Sequence, residues 1–167
     1  MSWWRGSAPI RSDRHFRFDA TAEQVWASLA EVDCYRRWWP WLRSFDGTEL
    51  AQGAVWRCRV QPPMPYSVRF TVTIDEVEPM RRIGATIEGD IAGTASLSLT
   101  DDVAAALDGR CELHLVSTLE PRHPGLRALA VVGRPMIRFG HDWVLDTGAT
   151  QFARSAPGVQ GGGAADR

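Results

Sequence analysis

Between Leu42 and Leu119, hydrophobic and polar positions alternate with a period of two, the pattern of strands that bury one face. The clearest run is Tyr66 to Val77: Tyr66, Val68, Phe70, Val72 and Ile74 point one way, and Ser67, Arg69, Thr71, Thr73 and Asp75 the other. Ser44 to Leu50, Val55 to Gln61, Arg82 to Ile91, Gly93 to Thr100 and Cys111 to Leu119 read as further strands, with the segment Asp101 to Gly109 as a loop carrying a partial helical turn. Ahead of these, the alternation from His15 to Asp19 predicts a short first strand. Thr21, with Gln24 three residues on, has capping-box spacing and opens a short amphipathic helix through Val25, Trp26 and Leu29. Asp33 can cap a second short turn, Cys34 to Trp41, which Pro40 helps to end.

The period changes after Pro121 and Pro124. At one hundred degrees per residue, Leu126, Leu129, Val132, Met136, Gly140, Trp143, Val144 and Thr147 share one stripe, opposite Arg127, Arg134 and Arg138. The pattern predicts one helix from Pro124 to Ser155, about 45 Å long at ~1.5 Å per residue. Its apolar side needs a broad, curved partner, and the preceding chain offers only strands. The expected fold class is therefore α+β: a curved antiparallel sheet wrapped around a long C-terminal helix, with two short helices after the first strand. Such wrapping leaves a hollow between sheet and helix, mouthed by the short helices and the hairpin loops.

Composition narrows the functional classes. In 167 residues, 44% hydrophobic and 23% charged, the chain has the profile of one globular domain. That domain is expected over residues 14–155, after a loose lead-in at 1–13 and before a disordered Gly-rich tail at 156–167. A formal net charge of −1 gives no footprint for nucleic acid. No run approaches the ~20 apolar residues of a membrane span, so no stable membrane insertion is expected. Three widely spaced cysteines suggest free thiols in a reducing, cytoplasmic setting. The glycines have no phosphate-loop spacing, no cofactor is expected, and no zinc site follows from the histidines.

Three segments carry a resemblance. Residues 18–26 (FDATAEQVW), 33–41 (DCYRRWWPW) and 76–79 (EVEP), followed by the terminal helix, resemble the START-like, Bet v 1-like helix-grip superfamily, and within it the bacterial polyketide cyclase/dehydrase and lipid-transport type. The resemblance covers roughly residues 14 to 155. It implies the helix-grip fold and a cavity for a hydrophobic molecule; because the superfamily includes carriers, receptors and enzymes, it does not choose among them. Aromatase/cyclase members are understood to hold a polyketide carbonyl with an inward Arg and Tyr. Here strand parity sends Arg57, Arg59 and Arg69 to the outer face.

The candidate chemistry is sparse. Tyr66 faces inward by parity and can act as an acid or hydrogen-bond donor; its structural alternative is a wall residue bonded to backbone or water. Tyr35 lies on the short mouth helix with Trp38, Trp39 and Trp41, which either close the end of the core or form an aromatic lid. On a straight helix His141 sits about 120° from the centre of the buried stripe, at ~100° per residue. A kink at 133–135 or at Gly140 would rotate it toward the hollow. Asp142 follows Arg138 by four residues, as in an ordinary ion pair. The expected catalytic candidates are thus Tyr66, His141 and Tyr35, and the expected ligand contacts Trp39, Trp56, Tyr66, Phe70, Leu129, Met136, Gly140 and Trp143.

Three functions fit. One is binding of a lipid, isoprenoid or polyketide-like molecule, since the inward residues are mostly apolar. Another is a cyclase or dehydratase reaction in the same hollow. The third is a macromolecular partner-binding module, which would show an apolar patch around Trp3, Trp4 or the mouth helix.

Overall fold

The computed structural model describes residues 8–100, 109–156 and 159, with side chains at 130–132 and 134 excepted. The Trp3–Trp4 pair, most of the 101–109 segment and nearly all of the tail lie outside these residues. Seven antiparallel strands form one curved sheet in the order β1-β7-β6-β5-β4-β3-β2. They are β1 (Ile10–Phe18), β2 (Leu42–Asp46), β3 (Val55–Val60), β4 (Val68–Glu78), β5 (Arg82–Gly89), β6 (Ile91–Thr100) and β7 (Cys111–Pro121). Among the described residues, only the β1–β7 pairing joins distant parts of the chain; the others are between strands consecutive in sequence.

Helix α1 (Ala22–Ala30) follows β1 and begins with the expected capping box. The Gln24 amide donates to Thr21 Oγ1 at 3.2 Å, and the Thr21 amide donates to Gln24 Oε1 at 2.9 Å, satisfying two N-terminal donors that the helix itself cannot. A single 3₁₀ turn (Val32–Cys34) leads into the one-turn helix α2 (Tyr35–Trp38).

Two expectations differ from the structure. First, β1 starts at Ile10, within the expected lead-in, and its alternation runs backward from the phenylalanines: Ser12, Phe16 and Phe18 are buried. Second, the terminal helix is two helices, α3 (Pro124–Val132) and α4 (Arg134–Ser155), broken at Gly133, whose φ of −128° is not helical. Pro135 in the first turn of α4 suits a helix start, where its missing N–H costs nothing. The break advances the buried face of α4 by about one position. Of the expected stripe, Gly140 and Val144 keep their place, but the buried neighbours along α4 include Ile137, Gly148 and Phe152, while Met136, Trp143 and Thr147 are only half-buried.

The core is unevenly filled along the sheet. At the end near α1 and α2, Tyr35, Trp38, Trp39, Phe18, Phe45, Trp56 and Phe152 form a continuous aromatic cluster with ring centroids 4.8–6.4 Å apart. The opposite end is hollow.

Candidate functional site

The hollow has a cavity volume of about 190 Å³. It lies where β1 begins, β3, β5 and β7 end, and β4 and β6 begin, and it is closed by α3 and the first half of α4. Val60, Val68, Phe70, Ile87, Ile91, Leu119, Leu126, Ile137, Val144 and Leu145 supply most of the wall. Among the lining residues, only Tyr66, Glu120 and His141 bring polar side-chain atoms.

Tyr66 precedes β4, and its hydroxyl lies against the backbone of Gly140; a Cβ at position 140 would collide with it. Glycine is therefore required for α4 to approach the ring this closely. Partial burial raises the Tyr66 hydroxyl above its ordinary pKa, so it remains a proton-bearing donor at neutral pH.

His141, the next residue, sits on the chamber wall because the Gly133 break rotates α4. Its Nδ1 lies 3.3 Å from the buried Ser12 hydroxyl and 3.7 Å from Asp142 Oδ1. Ser12 can donate to that nitrogen or accept from it, according to tautomer, and so fixes the ring plane either way. The other nitrogen, Nε2, has no protein partner among the described residues. Burial is the main influence on this imidazole and pushes its pKa below the ordinary value; Asp142 opposes the shift, while Arg14 and Arg138 reinforce it. The ring is held neutral at pH 7, able to give or take a proton at Nε2.

Arg14 completes the arrangement. It is on the inner face of β1 and reaches α4, 3.2 Å from Asp142 and 3.4 Å from Asp146. Arg138 lies 3.9 Å from Asp142, the expected i,i+4 pair, but Arg14 is the nearer cation. Ser12 and Arg14 are not among the expected site residues, because they precede the expected start of β1 at His15. Carrying the Phe16–Phe18 alternation two steps backward would have found both.

The structure brings Tyr66, Phe70, Gly140 and His141 to the chamber. It does not bring Tyr35, Trp39, Trp56, Leu129, Met136 or Trp143 to its lining. Tyr35 is buried in the aromatic cluster, where its hydroxyl donates to the Leu29 carbonyl, and burial, with the nearby Cys58 second, raises its pKa. It has neither access nor a proton to spare. Trp39 donates to the Gly148 carbonyl and Trp56 to that of Glu49, each at 2.9 Å. These rings plug the far end of the fold instead of covering the chamber. Trp143 lies with Trp41 beside a shallow surface groove, and Met136 packs near Gly133, both displaced by the change of helical phase. Arg57, Arg59 and Arg69 line an outer groove with Glu88 and Asp90, on the wet face as parity requires. Burial pushes the Cys58 thiol up to about 12, which makes it a packing residue and no nucleophile.

A curved sheet gripping a C-terminal helix, with an apolar chamber between them, defines a START-like helix-grip protein. The chain belongs to the polyketide cyclase/dehydrase and lipid transport family, which it matches over residues 9–156. The Zhui aromatase/cyclase from Streptomyces sp. R1128 has the same fold, at 20% identity and a TM-score of 0.59, with 90% of this chain and 99% of that one covered. A START superfamily protein from Mycobacterium smegmatis is similar at 15% identity and a TM-score of 0.64, covering 85% and 93%. One di-domain aromatase/cyclase, StfQ of the steffimycin biosynthetic pathway, matches 86% of this chain with half of its own length, at 12% identity and a TM-score of 0.59. Among curated proteins, none matches the chain. No helix among the described residues is long and apolar enough to cross a membrane.

Proposed function

We propose that the protein binds a small hydrophobic molecule, the size of one substituted ring or a short acyl chain, in the chamber between the sheet and α3–α4. The apolar lining supports this reading, with only three polar side chains on a wall otherwise built from aliphatic and aromatic groups. The volume sets the size: a dry protein cavity of roughly 150 Å³ takes up benzene, and this one measures about 190 Å³. A fused tetracycle or a long fatty acid would need the walls to move. The mouth-helix tryptophans are buried or half-buried, which gives a macromolecular partner no apolar patch there.

Native mass spectrometry of freshly purified protein tests the proposal directly. A co-purified compound of this size, displaced by a single-ring hydrophobic probe, is the expected result. Failure of every such probe to bind at millimolar concentration would overturn it.

A second reading has one specific observation in its favour. The Tyr66 hydroxyl, seated against Gly140, and His141, the next residue of α4, both meet the chamber, one a donor and the other a neutral imidazole with a free nitrogen. That pair suits proton transfer on a bound carbonyl compound, such as a cyclisation or dehydration, with the chamber holding the substrate in a reactive conformation. Tyr66→Phe and His141→Ala should then lower turnover while binding changes little. Turnover equal to the parent in both variants would leave a carrier.

A further inference from the structure

The outer face of β1 and β7 carries a second cluster, on the side of the sheet away from the chamber. His15 and His114 are direct cross-strand partners, and their rings stack with centroids 4.1 Å apart and planes within 10°. Asp13, two residues before His15, extends from the same face. Its Oδ1 lies 2.6 Å from His114 Nε2 and 3.6 Å from His15 Nε2. One ligand atom from each of the three residues falls within 4.8 Å of the others. On the far side of His15, Nδ1 lies 2.8 Å from Glu112 Oε1, and Glu112 also meets Arg17 at 3.4 Å.

From this geometry we infer that Asp13, His15 and His114 form a site for a divalent transition metal of the zinc class, clipping the edge strand β1 to β7. Two imidazoles and one carboxylate suit zinc, nickel, cobalt or iron(II) and leave positions for water. Glu112 acts on the ligand behind it: by accepting the Nδ1 proton of His15, it fixes the tautomer that presents the Nε2 lone pair to Asp13 and His114. The His15 hydrogen bond is also the main influence holding the Glu112 carboxyl below the ordinary carboxylate range, so this acceptor stays ionised.

Parallel rings aim their lone pairs side by side. Binding therefore has to splay them by a rotation about their side-chain bonds, which two partly exposed side chains can make. Without a metal, the 2.6 Å contact between His114 Nε2 and Asp13 is a hydrogen bond at the same position, so metal binding has to leave the His114 proton on Nδ1 and free the Nε2 lone pair. Residue spacing does not reveal this site, because His15 and His114 are about 100 residues apart in sequence and are joined by the β1–β7 pairing. The strand that the metal would pin is also the one whose inner face presents Ser12 to His141 and Arg14 to Asp142.

The test is titration of the full chain with zinc, nickel or cobalt ions alone, against a His15→Ala/His114→Ala double variant. One equivalent should bind the parent at micromolar concentration or below, with cobalt giving a visible absorption band of nitrogen and oxygen ligation. At about 100-fold excess over Kd the unfolding midpoint should rise by roughly 5–10 °C. The double variant should lose both signals while keeping the parent's metal-free midpoint within a few degrees. Glu112→Gln should keep the site but weaken it by about tenfold or more. Equal binding by parent and double variant, or no binding by the parent, would overturn the assignment.

Discussion

Phe152→Ala separates the two ends of this molecule. Phe152 is 3% exposed and packs against Phe18, Trp38 and Trp39 at centroid distances of 5.5, 5.6 and 6.4 Å, the first two edge-to-face. Deleting such a ring costs about 3–5 kcal/mol, from lost transfer energy and the hole left behind. For a chain of this length each kcal/mol lowers the midpoint by about 2–4 °C, giving a fall of roughly 6–20 °C. Phe152 is absent from the chamber lining, so affinity for a single-ring probe, measured well below the midpoint, should stay within about twofold. Urea unfolding followed by tryptophan fluorescence reads the first quantity, because the reporting indoles surround the deleted ring. Phe152→Leu, which retains more volume, should lie between parent and alanine variant. A tenfold loss of affinity with unchanged stability would refute the reasoning, because the aromatic cluster would then be the ligand's entrance and not a structural plug.

Further outcomes follow from the site. Gly140→Ala should weaken probe binding about tenfold and cost about 1–3 kcal/mol, since the added methyl drives the Tyr66 ring from its seat; calorimetry and thermal unfolding check both. Arg14→Gln should raise the His141 pKa, because removing a cation favours the imidazolium, and should cost only about 0.5–1 kcal/mol given the partial exposure of the ion pairs; NMR titration reading a fall would contradict this. The depressed His141 pKa means that the unfolded chain binds more protons than the folded one below about pH 6.5. Its contribution is therefore complete above that pH and is lost as pH falls through the lower folded value. His141→Leu should flatten the stability profile in this window, leaving a further acid loss from Glu112, whose carboxyl is also held low.

Much of the fold was legible because its signals are local. The Tyr66–Val77 alternation assigned inward and outward faces correctly, and Thr21 with Gln24 marked the start of α1. The site was less legible because it depends on phase. Leu126 holds its expected place, since α3 starts where Pro124 puts it. Beyond Gly133, a shift of one residue moves Met136 and Trp143 off the chamber and His141 onto it. Period counting across Gly133 assumes the continuity that its non-helical backbone removes. The tryptophans of residues 38–41 misled for another reason: composition says that large rings are buried, but not at which end of a sheet.

Placing the aromatic plug and the chamber at opposite ends of one sheet separates what keeps the molecule folded from the place proposed for its ligand. Wall residues such as Ile91 and Val144, which are only half-buried, can be exchanged at lower cost than the packed rings. A scaffold divided in this way can acquire new guests by small steps, without passing through unstable intermediates.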